Sequence, residues 1–396
     1  MERKLKVAVF NTQPPHLYFG GVERRIIENA KNLRSKVYTA VYSGTKKGFY
    51  KTVEIDGTQI NPCFSTDIVF PLDNWVFNYS LSRMVNKIKA DLYEAHNVSG
   101  YKFLNFLKKQ KIGKPFIQVI HGVLGDEYIQ ASKGDSLAPR IKLSNFFMWN
   151  LARIEKEAAN KATLVITVSR YSANKTVQLY GVDQKKIRVV PNGVDVKRFK
   201  PTNDFIDLKE VIRKKNTNLV LFVGNLIPRK SVHYLIEAAK QVIKEHNNTK
   251  FVIVGEGPLK NKLVSYTKKQ KVSDKFDFLG NVSETDLPKL YNYADVFASP
   301  SIQEGQGITL LEAQATAKPV VAFNLSAITE VVKNKETGLL VNPNSTELAN
   351  AISQLLSDKE LRDKMGQSAR NFVIKNFSWD ICSKKMFQVY SEVTAS

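Results

Sequence analysis

Cysteine is nearly absent: Cys63 and Cys382 are the two in 396 residues. A pair so widely spaced builds neither a disulfide framework nor a thiolate metal site, which suits a reducing, cytoplasmic setting. The five histidines are scattered, and no Asp-x-Asp pair ends an apolar run, so the sequence offers no metal cluster. No stretch approaches the roughly 18 uninterrupted apolar residues of a membrane span. The opening Met1–Phe10 has a basic flank, but its apolar run is short and gives way to Asn11 and two prolines. It reads as a first buried strand, not as a signal peptide. Repeats of solenoid length and long low-complexity runs are missing as well.

Acidic residues are also in short supply: 37 Asp+Glu face 59 Lys+Arg, a net charge of +22. The imbalance sits in the first half, with 33 basic and 16 acidic residues over 1–200 against 26 and 21 over 201–396. A basic surface suits an anionic ligand or an anionic membrane leaflet. A Lys- and Asn-rich compositional bias is the other reading. No recognisable nucleic-acid module accompanies the charge, so nucleic acid is not an expected partner.

What is present is an alternation of strand and helix patterns long enough for two cores, with 43% hydrophobic content. Ile117–Ile120, Leu164–Val168, Asn218–Val223, Phe251–Val254, Phe276–Leu279 and Val320–Phe323 are short apolar runs rich in β-branched or aromatic residues, the pattern of buried parallel strands. Between them, Val22, Ile26, Ile27, Ala30 and Leu33, and again Val232, Leu235, Ile236, Ala239, Val242 and Ile243, mark single helical faces. The turn Pro191-Asn-Gly-Val-Asp195 punctuates the middle. It divides the chain into an α/β domain over 1–195 and a doubly wound α/β domain over 196–378, followed by a helix from Trp379.

Two carboxylates eight residues apart, Glu304 and Glu312, bracket a glycine-flanked turn between the apolar run ending at Ser299 and the helix-forming stretch from Ile308. The amides of Gly305, Gln306, Gly307 and Ile308, with Thr309 behind them, occupy a helix start whose unsatisfied donors suit a diphosphate. Carboxylates beside an anion site are suited to a vicinal diol, since each offers two acceptor oxygens. This arrangement reads as a sugar-nucleotide clamp; a loop acid beside a helix-surface Glu is the plainer alternative.

This spacing resembles the E-x7-E signature of glycosyltransferase family 4, the retaining GT-B enzymes of glycosyl transferases group 1. Further blocks agree in order: Gly20-Gly-Val-Glu-Arg24, Asn192-Gly-Val-Asp195, Phe222-Val-Gly-Asn-Leu-Ile-Pro-Arg-Lys230, Ile253-Val-Gly-Glu-Gly-Pro258, Lys318-Pro-Val-Val-Ala322 and Thr337-Gly-Leu-Leu-Val341. The resemblance implies a GT-B fold, two facing Rossmann-like doubly wound domains with a cleft between them, the helix 379–396 completing the first. It implies a UDP- or GDP-linked sugar as co-substrate, no separate cofactor, no metal, and a glycan or lipid-linked acceptor. By the same resemblance Lys230, at a helix start, contacts the diphosphate. His121 contacts the transferred sugar, Glu304 its hydroxyls and Glu312 the ribose, while His96 is a lesser acceptor-side candidate. Gly20 and Gly21 would let the first domain's loop approach the phosphates or the acceptor closely, since a side chain there would obstruct, and by the resemblance backbone near Asn281-Val282 would meet the base.

The chain departs from the family at Asn225, where an arginine is usual, and at Ser231, where glycine is usual; Arg229 is the substitute cation. Gln306 replaces a commonly aromatic residue. These departures leave open another GT-B reaction, epimerisation or phosphorolysis, and a non-catalytic nucleotide-sugar or polyanion-binding protein. A helix expected from Arg140 to Ala162 carries Phe146, Phe147, Met148 and Trp149 among Arg140, Lys142, Arg153 and Lys156. Four consecutive large apolar residues wrap around a helix, so they are expected in the core, with a membrane-interface helix as the alternative.

Overall fold

A computed structural model of the protein describes residues 3–18, 20–67, 71–132, 139–202 and 217–395. The chain separates into two compact units, residues 1–193 with 379–396, and residues 194–378.

In the first unit the described strands are β1 (Leu5–Asn11), β2 (Val37–Gly44), β3 (Val53–Ile55), β4 (Thr58–Cys63), β5 (Leu92–His96), β6 (Phe116–Ile120), β7 (Leu164–Thr167) and β8 (Ile187–Val189). They form one sheet in the order β3-β4-β2-β1-β5-β6-β7-β8. All pairings are parallel except β3 with β4. That hairpin turns at Asp56-Gly57, with φ of 50° and 77°, the pair of left-handed residues a tight two-residue turn requires. Strands β5, β6 and β7 are buried along their whole length because helices cover both faces of the sheet.

The described helices of this unit are α1 (Gly21–Leu33), α2 (Leu72–Ser82), α3 (Tyr101–Lys109), α4 (Leu124–Ser132), α5 (Pro139–Lys161) and α6 (Arg170–Tyr180). The chain's last helix, Trp379–Ala395, also belongs here: its Met386, Val389, Tyr390 and Val393 pack with Val7, Val9, Ile26 and Leu33 on one face of the sheet. Gly193 is obligatory at the junction. A Cβ there would fall 2.8 Å from the Trp379 Cα and 2.7 Å from its ring, a clash with backbone that no rotamer relieves.

One expectation is overturned in part in α5: Phe147 and Met148 are half-buried, but two of the four large residues are not in the core. Phe146 is 55% and Trp149 39% exposed. The helix turns four neighbouring large residues in different directions, and further along it Leu151, Ala158, Ala159 and Ala162 carry the buried stripe, the three alanines packing with strand residues such as Phe116 and Val165. The Arg140 and Lys142 side chains lie outside the described residues.

The second unit holds β9 (Asn218–Val223), β10 (Thr249–Val254), β11 (Phe276–Gly280), β12 (Val296–Ser299), β13 (Val320–Phe323) and β14 (Gly338–Val341), all parallel and ordered β11-β10-β9-β12-β13-β14. Helices α7 (His233–Glu245), α8 (Lys260–Lys269), α9 (Leu287–Tyr293), α10 (Ile308–Ala315), α11 (Ile328–Val331), α12 (Ser345–Ser357) and α13 (Lys359–Phe377) flank it, and the closing helix of the chain, Trp379–Ala395, becomes α14. Alternate residues of each strand feed two separate cores, Val220, Phe222, Phe251 and Ile253 on one face and Leu219, Leu221, Val252 and Val254 on the other. This is the doubly wound pattern expected from the strand runs, and its strand order reverses between β9 and β12.

Candidate active site

In an open doubly wound sheet a ligand is met outside the carboxyl ends of the strands at the point of reversal. The loops after β9 and β12 carry Lys230 and Glu304 there. Glu304 is 5% and Lys230 8% exposed, and the Lys230 Nζ lies 2.5 Å from Glu304 Oε1. Arg229 reaches the other oxygen, Oε2, at 3.2 Å and also donates to the Gln303 carbonyl at 3.1 Å. Burial works to raise the Glu304 carboxyl's pKa, but the charges of Lys230 and Arg229, with hydrogen bonds from Lys230 and Ser301, hold it below the ordinary value. The Glu304 amide donates to Ser326 Oγ at 3.0 Å, tying this loop to the turn after β13.

Gly307, with φ of 92°, caps α10, and the first amides to bond back to its carbonyl are Leu310 at 3.1 Å and Leu311 at 3.4 Å. Ile308 and Thr309 therefore present amides ahead of the helical ladder. Glu312 follows in the second turn, 2% exposed, its Oε2 accepting from the Tyr291 hydroxyl at 2.8 Å. Gly305 and Gln306 lie in the same turn, Gln306 buried.

One expectation needs correction. Lys230 does not open a helix: it closes a 3-10 turn, Pro228–Lys230, and α7 begins at His233. Between them Ser231 has φ of 47°, a left-handed conformation that accounts for the glycine usual there. Asn225 is exposed and makes no hydrogen bond to the Lys230–Glu304 cluster among the described residues. At Gly20 the space is taken from inside the loop: a Cβ would meet Glu23 Oε2 at 2.4 Å, a carboxylate held by Asn11 at 3.0 Å. Gly21 is the first residue of α1. Val282 packs partly buried against the second unit's core, and neighbouring Asn281 is exposed.

His121 follows β6 in the first unit, and its Nε2 lies 2.8 Å from Nδ1 of His96, the last residue of β5. His96 is fully buried and its Nε2 lies 2.9 Å from Glu94 Oε1, a short contact bent away from the ideal hydrogen-bond line. Tyr390 of α14 donates to Glu94 Oε2 at 2.5 Å. Beneath them Arg25 is entirely enclosed, donating to the Val190 carbonyl at 2.9 Å and to Asn192 Oδ1 at 3.0 Å. Burial, then His96, then Arg25 push the His121 pKa well below the usual imidazole range. Sequence reasoning found His121 and His96 but missed Glu94, Arg25, Tyr390 and Tyr291. A charged residue inside a strand that is otherwise apolar, as at Glu94, was the one signal available.

The two halves of the chain match two family profiles. Residues 19–198 match Glycosyltransferase Family 4, and residues 204–372 match Glycosyl transferases group 1. The UDP-Gal:alpha-D-GlcNAc-diphosphoundecaprenol alpha-1,3-galactosyltransferase of Escherichia coli is 32% identical over 305 residues, 76% of this chain and 74% of that protein. The chain belongs to these glycosyltransferases. The fold of the glycosyltransferase is also that of solved relatives. It superposes on sucrose-phosphate synthase from Thermosynechococcus elongatus with a TM-score of 0.84 at 19% identity, covering 99% of this chain and 100% of that one. Anabaena HepE, solved with UDP and glucose, gives 0.78 at 20% identity, covering 98% and 100%. The enzyme thus has the GT-B fold, with one doubly wound parallel sheet in each unit.

Proposed function

We propose that this glycosyltransferase moves a hexosyl group, with retained anomeric configuration, from a UDP- or GDP-sugar to a hydroxyl of a glycan or lipid-linked acceptor. The reaction serves polysaccharide, glycolipid or glycoprotein-glycan synthesis at the cytoplasmic face of a membrane. The observation that carries this reading is the buried Lys230–Glu304–Arg229 cluster at the strand reversal, beside the glycine-capped start of α10.

Breaking the glycosyl–diphosphate bond concentrates negative charge on the leaving phosphate, so the largest catalytic term is fixed positive charge and N–H donors aimed there. Lys230 supplies the charge, Arg229 the second cation in place of the family's usual arginine, and the amides of Ile308 and Thr309 the donors. Glu304 holds sugar hydroxyls, and Glu312, oriented by Tyr291, holds the ribose diol. The leaving phosphate takes the acceptor's proton on the same face, which retains configuration without a separate base. In this reading no bridging Mg²⁺ takes part. The galactosyltransferase relative's UDP-Gal donor and lipid-diphosphate acceptor support the donor and acceptor classes.

A thermal-shift panel of UDP, GDP, ADP and their sugar conjugates tests the clamp. A nucleotide at 100 times its Kd stabilises by about 2.7 kcal/mol. One base should give a clear shift in wild type that shrinks in Glu312→Ala. No shift with any nucleotide would remove the donor reading.

The membrane part rests on the first unit's surface. No helix among the described residues is long and apolar enough to cross a membrane. Yet Leu72 and Tyr79 of α2 and Phe146 and Trp149 of α5 are exposed, and Trp75 and Phe147 join the two helices through their rings at 6.3 Å. Arg83 and Lys102 sit over Tyr79 and Arg153 over Trp149. Aromatic and basic side chains together suit an anionic interface. Co-sedimentation with phosphatidylglycerol vesicles should be strong for wild type and largely lost in Phe146→Ala/Trp149→Ala; equal pelleting of both would refute it.

A further inference from the structure

The His121 ring is the end of a chain of hydrogen-bonding groups that begins on the last helix of the protein. Tyr390, 296 residues beyond Glu94 in sequence, donates its hydroxyl to Glu94 Oε2. The fully enclosed Arg25 lends its charge to the same carboxylate. Burial works to raise the Glu94 carboxyl's pKa, but His96, Tyr390 and Arg25 together hold it below its ordinary value. Glu94 is therefore ionised at neutral pH, and an ionised carboxylate can only accept.

We propose that Glu94, His96 and Tyr390 are positioning residues that hold His121 in its Nε2-protonated tautomer. The charge on Glu94 and the spacing of the rings favour one neutral arrangement. Glu94 Oε1 stands 2.9 Å from His96 Nε2, in a contact too bent to count as a regular hydrogen bond; a lone pair there would face an ionised carboxylate at close range, so charge places the His96 imidazole proton on Nε2. A neutral imidazole has a single N–H, so His96 Nδ1 carries a lone pair. Facing that lone pair at 2.8 Å is His121 Nε2, which must be the donor. The remaining nitrogen, His121 Nδ1, has no hydrogen-bond partner and is left an acceptor.

This inference rests on the reading that His121 meets the transferred sugar, and it explains what such a histidine must avoid. A cationic ring beside an oxocarbenium-like sugar would oppose the charge developing in the transition state. A ring of fixed tautomer also loses none of its orientation at the moment of reaction, the part a buried carboxylate plays behind the histidine of a serine-protease triad. The closing helix α14 thus contributes to the site through one hydroxyl, besides its packing on α1.

The test uses the full chain labelled with nitrogen-15 at its five histidines, with ring signals read by two-bond correlation spectra near pH 7. His121 is assigned from the signals lost in His121→Ala. Wild type should show His121 protonated at Nε2 and His96 neutral. Glu94→Gln offers an amide that can donate to His96 Nε2, so it should invert the chain and move the His121 proton to Nδ1. Tyr390→Phe, which removes one oxygen, should give a mixture of the two forms. A wild-type His121 protonated at Nδ1, a doubly protonated His96, or an unchanged His121 tautomer in Glu94→Gln would each overturn the proposal.

Release of UDP from UDP-galactose and UDP-glucose supplies a separate arm. Glu94→Gln should lower turnover by about tenfold or more, with KM for the donor within about twofold, the mark of an interaction made in the transition state. If His121→Ala turned over like wild type, the placement of His121 at the sugar would fail while the spectra still judged the relay. If His121→Ala were inactive and Glu94→Gln normal in both readouts, the relay would fail and the placement would stand.

Discussion

Lys230→Ala is expected to lower glycosyl transfer by about 10²- to 10³-fold, the usual cost of deleting one preorganised group facing a developing anion. Arg229 does not make up the loss, because it is the second cation of the same site and its guanidinium also donates to Glu304 Oε2 and to the Gln303 carbonyl. The same variant should change stability in a pH-dependent way. Glu304 is buried, and its carboxyl stays below the ordinary pKa of 4.5 through Lys230 and Arg229 working against burial. A depressed carboxyl contributes stability that is present above the unfolded pKa and lost as pH falls through the folded one. Without Lys230 that contribution shrinks, so the variant should unfold earlier than wild type at pH 7, by about 1–3 kcal/mol. The gap should narrow in acid, where a protonated Glu304 needs no cation. Urea unfolding at pH 7 and pH 4, beside transfer rates with the donor selected by thermal shift, checks both parts. Lys230→Ala/Glu304→Gln should recover stability but not activity, and full transfer in Lys230→Ala would sink the assignment.

Arg25→Ala carries the largest expected effect on folding. Arg25 is 0% exposed, and its guanidinium joins the end of β8, the Asn192 turn and α14 through Val190, Asn192 and the Met386 sulfur. Truncation opens a cavity, leaves those acceptors without their donor and removes the fixed charge behind Glu94. Breaking a buried, partnered charge in this way costs about 3–5 kcal/mol. In a unit of this size that is a fall in Tm on the order of 10 °C. Arg25→Met should lose less, since its volume is kept. Because the Glu94 carboxyl is depressed in the native state, part of the deficit should fade as pH drops through its folded pKa. A melting temperature equal to wild type in Arg25→Ala would show that the network contributes nothing to stability.

Much of the architecture was legible because it is written in local period. Buried parallel strands announce themselves as short β-branched runs, and Asn218–Val223 and Val320–Phe323 lie where those runs lie. The spacing of Glu304 and Glu312 around a glycine-flanked turn likewise placed one carboxylate before α10 and the other in its second turn. Where the reading failed, the deciding contact came from another element. Phe146 and Trp149 are as apolar as any core residue, yet the sheet beneath α5 accepts a different stripe of that helix. Lys230 lies in a 3-10 turn because Ser231 adopts a left-handed backbone, which its side chain does not advertise.

Chain order and composition alone thus gave two α/β halves, many of the strands within them, the family resemblance and the places of Glu304 and Glu312 about the start of α10, since each depends on residues within a few positions of one another. Tertiary structure decided which buried polar groups answer one another. Lys230 and Glu304 are 74 residues apart, Arg25 and Asn192 167, Glu94 and Tyr390 296. A buried charge is tolerable only when its partner arrives with it, and that partner is chosen by the order in which the strands lie side by side, a global property that no local window of sequence contains.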